Sequence, residues 1–439
     1  MITDYVFSRL LDTSIEKAKK ILKESNSRLL ITKRDLEDAI NYHLKAVENW
    51  SAEISFNDLK KAKLTSRVFI DLDVFVYPRR VRIEVDEKIE KIPLRSLLET
   101  ESRHMVLLGQ PGAGKTTSMK YLCQSLLHDE CFPNLNFSFP ILIKFRELNN
   151  PEPLNQSKSM DNPDEFSSGP IFDLLYNIFA LSIDLPDELK VKKKKKDRGF
   201  LKEKLVMSII EQLNVLLILE GFDELVQINH RNESLREIRK LTTFLENSTA
   251  IVTSRSADFH YNIGNASIYE ICSLNHEQIR NFSLKWLDDE NKASGFVNEI
   301  NNSPFLDTTI RPLNLAHLCA IYERIGKIPD KPKTLYRKIV NLLLEEWDEQ
   351  RSVKRYSRYA NFEVDRKFDF LCNLAYELTT SLKKTVFSDV DLKKVYDKTY
   401  IVTQIFNTEG FAGDKITVYL VMGSSVFKNT GDMITPYFR

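Results

Sequence analysis

No run of about eighteen apolar residues, the length a helix needs to cross a bilayer, occurs anywhere in the 439-residue sequence. The opening stretch, Met1 to Ser14, mixes polar and apolar residues and lacks the apolar centre of a secretory signal. Net charge is almost absent at +1, so no global field holds the chain on nucleic acid or on an anionic membrane. Neither is expected as a partner unless a local patch supplies the charge. Cysteine is sparse and unpatterned: the five residues Cys123, Cys131, Cys272, Cys319 and Cys372 include no CxxC pair. That argues against a disulfide framework or a zinc site, and it suits buried thiols in a reducing compartment. A cytoplasmic protein is expected. There is no repeat of solenoid period, and the first 80 residues carry no nuclease, protease or deaminase signature.

What remains is an ordinary globular composition, 42% hydrophobic and 28% charged, long enough for several domains. From Asp12 to about Leu64 apolar residues recur at three-, four- and seven-residue steps, which predicts helix. Val68–Val76 reads as a strand stopped by Tyr77-Pro78. From about residue 95 the pattern becomes βα alternation. Short apolar runs stand at Met105–Leu108, Ile141–Phe145, Val215–Leu219, Ala250–Thr253 and Ser267–Cys272, with helical segments between most of them. This predicts a mainly parallel sheet covered on both faces. A polar insert, Asn149 to Gly169, reads as a loop, and the basic run Lys190, Lys192–Lys196 and Arg198 as a solvated face without aromatics to stack on bases. Beyond residue 274 the chain reads as helical to about 400, with helices at His276–Asp288, Leu313–Ile325, Leu335–Glu349, Val364–Leu382 and Val390–Tyr400. Short strand-like pieces close the sequence.

Three motifs carry chemistry. The first is Gly109-Gln110-Pro111-Gly112-Ala113-Gly114-Lys115-Thr116, followed by Thr117. Its glycines let the backbone curl into a nest whose N–H groups face phosphate oxygens, and the next helix adds the partial positive charge of its N-terminus. Lys115 reaches the β- and γ-phosphates, and the Thr116 hydroxyl is placed for Mg²⁺. The apolar run Met105–Leu108 before it and the helical run Thr117–His128 after it supply the strand–loop–helix setting that the motif requires.

The second is the apolar run Val215–Leu219 ending in Glu220-Gly221-Phe222-Asp223-Glu224. Strand C-termini of a parallel sheet face the ligand crevice, so one carboxylate there can hold Mg²⁺ and another can orient a water for attack. The interval from Lys115 to Asp223 leaves room for one further strand, which Ile141–Phe145 fits. The candidate metal set is Thr116, Glu220 and Asp223; the candidate catalytic set is Asp223, Glu224 and Arg255. Arg255 ends the third motif, Ala250–Arg255, where it is placed to sense a γ-phosphate.

GQPGAGKTT (109–117), LLILEGFDEL (216–225) and IVTSR (251–255), in this order, resemble the NACHT family of the STAND class of signalling NTPases. That family includes relatives of animal NOD-like receptors and bacterial anti-phage NACHT proteins. The resemblance spans roughly residues 75 to 400 and takes in Leu274–Leu287, Arg311–Cys319 and Leu335–Arg351 as a helical arm. It implies an α/β P-loop NTPase, a three-layer sandwich on a mainly parallel sheet. The expected divisions are a helical region of unknown role at 1–80, the NACHT nucleotide-binding domain at 81–272, a helical domain at 273–330 and a winged-helix-like domain at 331–439.

It also implies a switch: ADP holds the closed form, and exchange for ATP with Mg²⁺, triggered by an unknown ligand such as a phage component, opens it and drives homo-oligomerisation. Hydrolysis is expected to be weak. Pro312 corresponds to a proline that packs on the nucleotide; on composition alone it equally suits a helix break. Two departures stand out. Glu220 occupies a place usually held by Asp, which shifts the carboxylate by about a bond length and leaves Asp223 to take part of the metal role. The other is at Thr435–Arg439, which resembles a strand leading into a histidine-bearing helix, yet the sequence stops there. A winged helix lacking that helix would expose apolar surface, so either a fragment or a reduced member is expected. Residues 1–80 are expected to be a small helical adaptor or structural cap. An AAA-type remodelling ATPase and a phosphate-loop small-molecule kinase are the competing readings. A kinase lid calls for arginine, whereas the Lys190–Arg198 run is lysine-dominated.

Overall fold

A computed structural model describes residues 4–55, 59, 61–78, 90–100, 104–128, 137–149, 168–190, 195–225, 227–303 and 306–328, and short pieces between 372 and 435. In chain order the principal elements are α1 (Asp4–Lys23), α2 (Lys33–Ala52), β1 (Asp73–Phe75), β2 (Lys91–Pro93), β3 (His104–Gly109), α3 (Lys115–His128), β4 (Pro140–Lys144), α4 (Pro170–Ile178) and α5 (Lys195–Leu213). They continue with β5 (Leu216–Glu220), α6 (Ile228–Phe244), β6 (Thr249–Arg255), β7 (Ala266–Ile271), α7 (His276–Leu287), α8 (Glu290–Asn301) and α9 (Pro312–Ile325).

The seven strands form one sheet in the order β2-β1-β7-β3-β6-β5-β4. From β7 to β4 every pairing is parallel; β1 pairs antiparallel with both β7 and β2. The interior strands read as unbroken apolar runs because helices cover them, and every residue of β3, β5 and β6 is buried. The fold is therefore a P-loop-type α/β sandwich. β4, which lies between the first two motifs in sequence, occupies the edge of the sheet; in space the strand between β3 and β5 is β6.

The chain divides into two compact units, residues 1–54 with 63–272, and residues 55–62 with 273–439. In the first, α1 and α2 join the same hydrophobic core as the sheet through Leu11, Leu22, Leu36 and Ile40. The helical reading of Asp12–Leu64 is corrected in detail. The chain leaves the helix after Lys23, and Arg28–Leu29 pairs antiparallel with Ile183–Asp184. It re-enters at α2 through a capping box in which Thr32 and Asp35 exchange bonds with each other's backbone N–H. The expected strand Val68–Val76 is also shorter: Thr65–Val68 is a helical turn, and only Asp73–Phe75 pairs. The basic run is not uniformly solvated, since Arg198 lies buried in α5 and donates from Nη1 to the Leu189 carbonyl at 2.7 Å.

In the second unit α7 opens on a reciprocal cap between Asn275 and Gln278. Pro312 sits in the first turn of α9, where its missing N–H costs nothing, and Gly326 ends that helix with φ of 79°. Phe282 stacks on Trp286, and Phe296 meets Tyr322 edge-on. Beyond α9, most of 331–439 lies outside the described residues, including the helices expected at Leu335–Glu349 and, for the most part, at Val364–Leu382 and Val390–Tyr400. Met433–Thr435 pairs antiparallel with Phe387–Ser388 and Lys428–Thr430. Among the described residues no helix is long and apolar enough to cross a membrane.

Candidate nucleotide-binding site

β3 ends at Gly109 and α3 begins at Lys115, so the first motif is the turn from a buried strand into a helix. Gly112 and Gly114 both adopt positive φ, 72° and 96°, the backbone curl that turns successive N–H groups toward one point. Gly109 is tightly enclosed: a Cβ there would lie 3.3 Å from Ala113 Cβ and 3.4 Å from Lys115 Cγ. The Lys115 ammonium folds over the mouth of the loop and donates to the carbonyls of Gly109 at 2.8 Å and Gln110 at 3.2 Å. The loop's closure is completed by Ala113 N–H on the Gln110 carbonyl and Ser118 N–H on the Gly114 carbonyl.

β5 brings Glu220 to the same end of the sheet. The Thr116 hydroxyl donates to Glu220 Oε1 at 2.6 Å, and Glu220 is buried at 4% exposure. A hydroxyl and a carboxylate in contact, both hard oxygen donors, beside an amide nest, fit Mg²⁺ bound to a polyphosphate. The longer side chain of glutamate therefore does reach the Thr116 hydroxyl.

Immediately after Glu220 the chain turns sharply. Gly221 is left-handed, φ 79°, and its N–H donates to Thr253 Oγ1 on β6 at 2.9 Å. A Cβ on Gly221 would fall 2.9 Å from Glu224 Cδ, because the Phe222–Glu224 turn folds the Glu224 side chain back over it. The turn is secured from outside by Asn149, whose amide donates to the Glu224 carbonyl at 2.7 Å, and by Arg231, which donates to the Leu225 carbonyl at 3.1 Å. Phe222 fills the core beneath, edge-on to Phe145 and Phe259.

The turn directs Asp223 to the end of β6. Its Oδ1 accepts the Arg255 backbone N–H at 3.0 Å, and its Oδ2 lies 2.8 Å from Arg255 Nε. Arg255 stands opposite Gly109 in the β3–β6 register, so this ion pair flanks the start of the phosphate loop. The structure thus groups Thr116 with Glu220, and Asp223 with Arg255, at one end of the sheet. Pro312 belongs to the second compact unit. Sequence reasoning passed over Thr253 and Asn149. Thr253 was findable, since it lies two residues before Arg255 and shares its strand face.

The second helix also backs this site. α2 lies along α3, where Gln124 donates to Ser51 Oγ at 2.7 Å and Lys120 donates to the Glu53 carbonyl at 2.6 Å, its ammonium 5.5 Å from the Trp50 ring centroid. Burial first, then the charge of Arg146, lowers the Lys120 ammonium pKa below the ordinary lysine value.

The NACHT domain family model matches residues 103–290, which takes in all three motifs. Residues 103–290 are a NACHT domain. With it comes a nucleotide-binding P-loop NTPase module, usually served by Mg²⁺. Solved structures similar to the chain include the Walker-type ATPase of Pyrococcus abyssi, at 15% identity over 72% of this chain and 89% of that one, with a TM-score of 0.35. Another is Drosophila ORC bound to DNA, at 11% identity over 72% of each chain, with a TM-score of 0.30. No curated protein matches the sequence.

Proposed function

We propose that the chain is an ATP/ADP-regulated switch of the NACHT/STAND class, acting in the cytoplasm in defence signalling. ADP keeps it at rest, and exchange for ATP, prompted by an activating ligand, lets copies assemble. The observation that carries the nucleotide reading is the Thr116–Glu220 contact at 2.6 Å beside the glycine cradle. The loop from Gly109 to Thr117 holds the phosphates through its amides, with the Lys115 ammonium exchanging its two loop carbonyls for phosphate oxygens. Thr116 and Glu220 hold the metal. Mg²⁺ held there would supply charge neutralisation to the polyphosphate. Glu224, beside that pair, orients the attacking water, and Arg255 reads the γ-phosphate. The role that the resemblance gives Pro312 stays part of this proposal. The burial of Cys123, Cys272 and Cys319 suits a reducing setting.

Denaturing the purified protein and identifying the released nucleotide tests the reading, with the oligomeric state measured before and after exchange. Retained ADP, slow turnover and assembly on ATP are expected. Unprompted turnover of many ATP per second by a lone copy would sink the switch.

A further inference from the structure

We infer that Asp223 acts through Arg255, as a positioning residue that aims the guanidinium, and that the metal is left to Thr116 and Glu220. This rests on the crevice being an ATP/ADP site. Both Asp223 oxygens are engaged by one residue, Oδ1 by the Arg255 backbone N–H at 3.0 Å and Oδ2 by Nε at 2.8 Å. The two side chains are 3% and 6% exposed, so water does not loosen the pair. A guanidinium is a rigid plane of five N–H donors, and contact at Nε together with the backbone bond fixes how that plane leaves the strand.

The backbone explains why two acids three residues apart serve different partners. Glu220 is the last residue of β5 and meets Thr116. Gly221 then turns left-handed, φ 79°, tied to Thr253 on β6, and swings Asp223 onto the end of β6, the strand lying between β5 and β3. Because Arg255 is level with Gly109, the guanidinium that Asp223 orients starts beside the phosphate loop. The function that follows is discrimination: with Asp223 in place, Arg255 distinguishes a triphosphate from a diphosphate.

The test is binding of a fluorescent ADP and of a fluorescent non-hydrolysable ATP analogue to the full chain, with and without Mg²⁺. Asp223→Asn is expected to lower the ratio of triphosphate to diphosphate affinity about tenfold, the size of one charge-assisted hydrogen bond, while ADP affinity and its Mg²⁺ response stay as in the wild type. Arg255→Ala should give the same loss, and the double variant no further loss. Glu220→Gln should instead abolish the Mg²⁺ response. Should Asp223→Asn not fold, Arg255→Lys carries the test: it keeps the charge, loses the Nε contact, and is expected to lose the same discrimination. A changed Mg²⁺ response in Asp223→Asn, additive losses in the double variant, or wild-type discrimination in Arg255→Lys would each overturn the assignment. A wild-type chain that binds neither nucleotide would instead remove the reading on which it stands.

Discussion

Two groups of buried carboxylates sit in the first unit, and they are held in opposite ways. At the ends of β5 and β6, Glu220 leans on a threonine hydroxyl and Asp223 on an arginine. Elsewhere, in the middle of α6, Glu237 has no exposure and accepts the backbone N–H of Ile171 and of Phe172, each at 3.0 Å, at the start of α4. Glu203 and Asp173 stand near it, paired with Lys240 and with the buried Lys202. Glu220 meets a side chain that a ligand can replace. Glu237 meets backbone amides that nothing replaces. Burial pushes the Glu237 carboxyl up to about 8, with the nearby acids adding to it against the pull of the two amides. A large pKa displacement therefore marks a clasp in this fold, so perturbation alone is a poor guide to its functional crevice.

The largest effect is expected from Lys115→Ala. It removes an ammonium worth about 3 kcal/mol to a phosphate, so nucleotide affinity should drop roughly a hundredfold with the melting temperature of the ligand-free chain little changed. Calorimetric titration checks it. Glu237→Ala should do the reverse. Two buried amides lose their acceptor, at about 2–4 kcal/mol in denaturant unfolding, while the protein that remains folded binds nucleotide normally.

Protons separate the groups further. A carboxyl raised to about 8 when folded holds a proton that the unfolded chain has already released above about 4.5, so its contribution to stability declines as pH rises through that window. Unfolding curves between those limits should slope downward, and Glu237→Gln should flatten them. The smallest effect belongs to His43. Burial, then the charge of Lys144, lowers this imidazole to about 4, and its Nε2 accepts the Leu142 N–H at 3.1 Å. The unfolded chain takes up that proton from about 6.5 downward, so stability should fall as pH drops toward 4; His43→Ala should remove this slope at a cost of about 1 kcal/mol.

The strands and the phosphate loop were legible because each is a local pattern: an apolar run, then glycines at fixed spacing. The pairing of Asp223 with Arg255 was not, since it joins strand ends far apart in sequence through a single left-handed residue, Gly221. Periodicity carried the helical reading through the break between α1 and α2, although Thr32 and Asp35 spelled out a start signal there. Periodicity also could not reveal that α1 and α2 share the core of the sheet, because an apolar stripe does not name what it packs on. At Val68–Val76 alternation suggested a long strand, but only Asp73–Phe75 finds a partner, at the antiparallel side of the sheet.

The bond from Leu142 to His43 has a practical consequence. Among the described residues β4 is the last strand on its side, and an uncovered β edge is a template on which another chain can add by backbone pairing. α2 occupies that flank and supplies an acceptor for one of its outward amides. A fragment cut to the family boundaries at 103–290 would lose this guard and should self-associate, whereas one that begins at α1 keeps its flank sealed.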